Sequence, residues 1–168
     1  MYKILFVCTG NICRSPTAEA VMRKLVREAG RQNEIFIDSA GTSSYHHGDC
    51  PDPRAVACAA GHGVDLSCLR SRPLRAEDFA EFDLILAMDN QNIWNLDMKR
   101  PNGDPRYRRA KVKKLLSYAP EFGDNIPDPY YDSNGFETVY EMIETACRNL
   151  LQTLPNGSGA QRPRAQAA

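Results

Sequence analysis

A chain of 168 residues, 42% apolar and 25% charged, has room for one domain with one sizeable core. Lys+Arg and Asp+Glu number 21 each, so net charge exerts no overall pull toward nucleic acid or a membrane surface. No run approaches the roughly 20 apolar residues of a membrane span, ILFVC is too short and wrongly flanked for a signal peptide, and three histidines without a C-x2-C pair give no expectation of a metal site.

A cytoplasmic protein with its six cysteines mostly reduced is therefore expected. In chain order, KILFVC (3–8) is a short apolar run rich in β-formers and predicts a buried strand. Ser15 and Pro16 fit a helix N-cap and first helical position. Val21, Met22, Leu25, Val26 and Ala29 then recur at helical spacing until Gly30. IFIDSA (35–40) predicts a second strand, and Asp52-Pro53 opens a helix ending near Gly61. AEDFAEF reads as a short helix before the strand DLILAM (83–88), after which Asp89 caps a helix through NQNIWNL.

Residues 99–109 read as a polar loop, and VKKLLSY as a short strand of ambiguous type. From Phe136 to Leu154 one apolar stripe marks the clearest helix. The remainder, 155–168, has almost nothing to bury and is expected to be a disordered tail after a domain over 1–154. Strands alternating with helices predict an α/β domain: a doubly wound, four-stranded parallel sheet with helices on both faces. Ligands of such sheets gather beyond the strands' carboxyl ends, where Cys8 falls.

The stretch CTGNICRSPTAEA (8–20) joins a strand ending in cysteine to a helix start through a tight loop. Backbone N–H groups and the helix dipole make such a loop a cradle for a dianion such as a phosphoryl group. Gly10 and Asn11 are the types that best tolerate left-handed backbone angles, and Arg14 carries a planar fork suited to phosphoryl oxygens. The same positive surroundings favour the Cys8 thiolate, the reactive nucleophile. Neither G-x4-G-K-[ST] nor G-x-G-x-x-G is present, which disfavours nucleotide and dinucleotide sites.

VCTGNICRSPTAEA resembles the active-site loop of the low-molecular-weight protein tyrosine phosphatases, and DPYY (128–131) resembles their general-acid motif. DSAGT (38–42), AMDNQN (87–92) and GFETVYEMIE follow in the family's order, so the resemblance spans roughly residues 2–154. It implies a cofactor-free, metal-free phosphatase that acts on phosphotyrosine-containing proteins, as a monomer or weak homodimer. Cys8 would be the nucleophile, Arg14 the phosphate-binding group and Asp128 the general acid, then base.

Other roles come by matching positions. Thr9, Gly10, Asn11, Ile12 and Cys13 complete the substrate loop, and Ser15 donates to the Cys8 thiolate. Ser39 and His62 would steady Asn11. Tyr130, Tyr131 and Tyr45, with His46 and His47 beside it, would form the pocket walls. Cys8 and Cys13 correspond to a pair able to form a reversible, protective disulfide. Phosphoarginine-selective relatives carry Thr where this chain has Ile12, which favours phosphotyrosine.

Two rivals share parts of this pattern. A thiol-dependent arsenate reductase of the same fold needs relay cysteines near LAMDNQN, and residues 80–100 contain none. A non-catalytic phosphate-binding module would not need Cys8, Arg14 and Asp128 together. The eight Lys/Arg of residues 99–114 are read as a solvated loop face.

Overall fold

The computed structural model describes residues 1–132 and 134–156; the predicted tail falls on 157–168, outside the described residues. Among the described residues four strands, β1 (Tyr2–Cys8), β2 (Ile35–Gly41), β3 (Leu84–Ala87) and β4 (Lys111–Lys114), form one parallel sheet in the order β2-β1-β3-β4. The helices that accompany them among the described residues are α1 (Arg14–Glu28), α2 (Pro53–Gly61), α3 (Asp78–Glu81), α4 (Asn90–Lys99) and α5 (Phe136–Thr153).

Period-two alternation in β1 divides the core. Ile4 and Phe6 pack with α1 and α5 residues such as Met22 and Ile143, whereas Leu5 and Val7 pack with Phe79, Phe82 and Leu96 from the α3 and α4 side. Helices thus cover both faces. Each fully buried aliphatic or aromatic side chain of this kind contributes about 1.5–3 kcal/mol of burial. The chain runs from β1 out to β2 and returns to β3 on the other side, so a topological switch point lies beyond the ends of β1 and β3.

Boundaries differ from expectation in specific ways. The first helix begins at Arg14 with Cys13 in the N-cap position and no side-chain cap, so Ser15 is not its cap. Its end agrees: Gly30 is left-handed at φ 70°. Asp52 caps α2 through Arg54 N, and Asp89 caps α4 in a reciprocal capping box with Asn92. VKKLLSY splits into β4 and a 3-10 turn over Leu115–Tyr118. The polar loop carries its own 3-10 turn, Pro105–Arg108, capped by Asp104.

Candidate active site

Cys8 ends β1, 2% exposed, with its Sγ 2.9 Å from Ser15 Oγ and 3.2 Å from the Asn11 amide nitrogen that donates to it. Asn11 has φ 56°, the only left-handed non-glycine among the described residues. Its side chain holds that bend at three points. Nδ2 donates to Ser15 Oγ (2.7 Å) and Ser39 Oγ (3.0 Å), and Oδ1 accepts from Arg72 N (3.0 Å). Ser15 Oγ, already accepting from Asn11, has one proton to give; sulfur at 2.9 Å is nearer than the Ala40 carbonyl at 3.4 Å. The cysteine sulfur thus has two hydrogen-bond partners inside the loop, the Asn11 N–H that donates to it and the Ser15 hydroxyl.

Behind this layer, Ser39 Oγ donates to Glu19 (2.5 Å), whose carboxylate pairs with Arg23 at 2.6 Å. Burial pushes the Glu19 carboxyl up, against the pull of Ser39 and Arg23. Gly10 departs from expectation: it has no left-handed φ. What it supplies is room, since a Cβ there would lie 3.1 Å from His46 Cδ2. His62 departs as well. It sits at the end of α2, paired with Glu137 at 2.8 Å and stacked on Tyr140, and is not a partner of Asn11. Arg72 N, Ser39 and Ser15 fill that role.

Arg14 is 2% exposed. Its Nη1 donates to Asp89 Oδ2 (2.6 Å) and to the Ile126 carbonyl (2.9 Å), while Nη2 lies 3.5 Å from Asp128 Oδ2. Burial works against the guanidinium charge, but Cys8, Asp89 and Asp128 outweigh it and hold the group above its usual range. With Nη1 engaged, Nε and Nη2 are the donors left for a phosphoryl group. Asp89 does two jobs with two oxygens: Oδ1 caps α4 and Oδ2 anchors Arg14. The sequence showed only the first, because Arg14 and Asp89 are 75 residues apart.

These groups open onto a cavity of about 260 Å³. Cys8, Thr9, Gly10, Ile12, Cys13 and Arg14 form its floor, and Asp128, Tyr130 and Tyr131 one wall. Ser43, Tyr45 and His46 form the other, Ser43 being unforeseen. Asn11 and Ser15 are buried but do not line it. Thr9 Oγ1 accepts from Asn92 Nδ2 at 3.2 Å. Asp128 Oδ1 accepts from Tyr130 N (3.1 Å).

Arg54, also missed, pins that wall. It donates to the Tyr130 carbonyl at 3.0 Å, pairs with Asp52 at 2.8 Å, and lies over the Tyr130 and Phe136 rings. Burial, with Asp52, Cys8 and Asp128 nearby, pushes the Cys13 thiol up, so it stays protonated in the resting pocket. Cavity, hydrogen-bonded cysteine sulfur, buried arginine and a carboxyl beside it make an arrangement able to take a phosphoryl group and protonate its leaving group.

Comparison with known proteins agrees. The family model described as low molecular weight phosphotyrosine protein phosphatase matches residues 3–159. The low molecular weight phosphotyrosine protein phosphatase of Sus scrofa is 44% identical over 150 residues, 89% of this chain and 93% of that one. A protein tyrosine phosphatase structure from Entamoeba histolytica superposes with TM-score 0.83 at 40% identity, covering 90% of this chain and 96% of that one. The structure of a Drosophila arginine phosphatase superposes with TM-score 0.83 at 36% identity, over 89% and 96%. The chain belongs to the low molecular weight phosphotyrosine protein phosphatases and is an enzyme of that kind.

Proposed function

We propose that Cys8, Arg14 and Asp128 carry the hydrolysis of phosphotyrosine in proteins by two displacements at phosphorus. The Cys8 thiolate attacks in line with the phenolic oxygen, and the P–O bond breaks as the Asp128 carboxyl gives its proton to the leaving phenolate. A water then attacks the phosphocysteine, Asp128 takes the water's proton, and the P–S bond breaks to return thiolate and phosphate. Loop amides and the free donors of Arg14 stabilise the charge spread over the equatorial oxygens. The observation that carries this reading is the hydrogen-bonded Cys8 sulfur opening onto the cavity that Arg14 and Asp128 share.

Steady-state assays with p-nitrophenyl phosphate test it. Cys8→Ser abolishes turnover yet keeps vanadate binding, and Asp128→Ala lowers kcat by about 10²–10⁴-fold. Unchanged kcat in either variant removes that residue from the scheme.

Substrate choice follows from the walls. Tyr130 and the Tyr45–His46 pair flank the opening and offer aromatic walls to a phenyl ring. Ile12 stands on the floor where phosphoarginine-selective relatives carry Thr, so phosphotyrosine is preferred over the phosphoarginine implied by the Drosophila enzyme's name. The enzyme works in the cytoplasm as a monomer or weak homodimer.

Peroxide would convert Cys8 to a sulfenic acid. The Cys13 thiol, on the same floor, then displaces water from it to form a disulfide and protects Cys8 from further oxidation. Peroxide-treated enzyme should recover with dithiothreitol, and a Cys13→Ser variant should not. Equal recovery of both would show that Cys13 plays no such part.

A further inference from the structure

Outside the catalytic pocket, three side chains of metal-ligating type converge at the seam between the end of α2 and the first turn of α5. Cys58 and His62 are four residues apart, so they share one face of the helix end. Glu137 comes from α5. Cys58 Sγ lies 3.3 Å from Glu137 Oε1, and His62 Nε2 lies 2.8 Å from Glu137 Oε2. One donor atom from each residue falls within 4.8 Å of the others, and no other such group occurs among the described residues.

A tetrahedral zinc ion, with bonds of about 2.0–2.3 Å, holds its ligand atoms roughly 3.3–3.7 Å apart. Cys58 Sγ and one Glu137 oxygen already stand at that spacing, His62 Nε2 is 2.8 Å from the other Glu137 oxygen, and the three ligand atoms lie within 4.8 Å of one another, so side-chain rotation alone would bring them to an ion. Their chemistry is selective as well: sulfur and imidazole nitrogen beside one carboxylate suit zinc and disfavour magnesium or calcium, which demand oxygen. The His62 ring lies flat on Tyr140, with centroids 4.0 Å apart and planes 9° apart, and this stacking fixes the imidazole with Nε2 toward Glu137. His62 and Glu137 are both exposed, so water can reach a fourth position.

We propose that this seam is a zinc-binding site, with Cys58 Sγ, His62 Nε2 and one Glu137 oxygen as ligands and solvent as the fourth. On binding, the ion replaces the proton of the Cys58 thiol, and that proton is released to solvent. The site then ties α2 to α5 beside the catalytic wall: Cys58, Tyr140 and Phe136 border the same small crevice as Pro129, the residue after Asp128. The sequence carried no expectation of a metal site, because the third ligand lies 75 residues beyond His62 and reaches it only through the fold.

Cobalt(II) titration of the reduced, full-length chain carrying Cys8→Ser and Cys13→Ser keeps active-site thiols out of the signal. One equivalent should bind with a sulfur-to-cobalt charge-transfer band in the near ultraviolet. Zinc chloride should displace it and raise the midpoint of thermal unfolding. Cys58→Ser in that background should remove the band, and Glu137→Gln should weaken zinc binding by at least about 10-fold, the loss typical of disturbing even a ligand's outer partners. Glu137 is exposed, so its variant keeps the test decisive should Cys58→Ser unfold. No cobalt band, a band that survives Cys58→Ser, or zinc affinity unchanged in Glu137→Gln would each overturn the site.

Discussion

At Gly41 the end of β2 runs hard against the catalytic loop. A Cβ there would lie 2.7 Å from the Thr9 carbonyl oxygen, 3.1 Å from the Ser43 carbonyl oxygen and 3.2 Å from Asn11 Cβ. Two of these neighbours are backbone, and both are held in register, since Thr42 N donates to the Cys8 carbonyl and Ser43 N to that of Thr9. Gly41→Ala must therefore displace the loop by a few tenths of an ångström or more. It should lower kcat for p-nitrophenyl phosphate by about 10²-fold, as small misplacements of reacting groups do, and cost about 1–3 kcal/mol of stability in urea denaturation. Wild-type kinetics in that variant would show that the contact is not what shapes the loop.

At this scale, side chains whose chemistry is local could be read from the sequence. Cys8, Asn11 and Arg14 stand in one short loop, each of a type its position demands. Residues acting across the fold could not. Asp89 looked like a helix cap and nothing more, and Arg72 serves Asn11 through its backbone N–H, which carries no residue signature at all.

Among the elements, α2 links the pocket to the rest of the molecule at its first turn. Asp52 N donates to the Ile12 carbonyl in the catalytic loop, and the Asp52 side chain both caps the helix and pairs with Arg54. The Arg54 hydrogen bonds and charge, working against partial burial, hold the Asp52 carboxyl below its ordinary 3.8. A carboxyl depressed in the fold stabilises it above its unfolded pKa, and that contribution is lost as pH falls through the folded value. Asp52→Asn keeps a capping oxygen without the charge. Wild type should thus be the more stable at pH 7 in urea titrations, with the gap closing below pH 3.8. A gap that persists undiminished in acid would assign it to something other than this ion pair.

Period and caps made the helices readable, while β4 could be read only as a short strand of ambiguous type that ran on into LLSY. Its KVKK places Lys111 and Lys113 outward on an edge strand, where charge discourages pairing with another chain. Part of the basic run at 99–114 therefore protects a sheet edge, a role that only the strand order discloses.

Across the whole molecule, the α/β architecture followed from alternating strand and helix patterns, and the single parallel sheet places the cysteine where such sheets gather ligands. The floor and most of the walls of the cavity were legible only through the resemblance, while its anchors Asp89, Ile126 and Arg54 were not, because they come from separate stretches that meet only after β1 and β3 pair. Ile126 shows what that convergence entails. Its side chain is wholly buried in the core, its N–H donates to Met88 O at the end of β3, and its carbonyl holds Arg14, two residues before Asp128. A single hydrophobic residue thus anchors Arg14 and tethers the segment that carries Asp128, the two groups proposed to grip the anion and give the proton. Enzyme of this design has its chemistry tuned by how well its oil is packed: a mutation that loosens this corner would dull turnover while leaving every reacting atom in the chain.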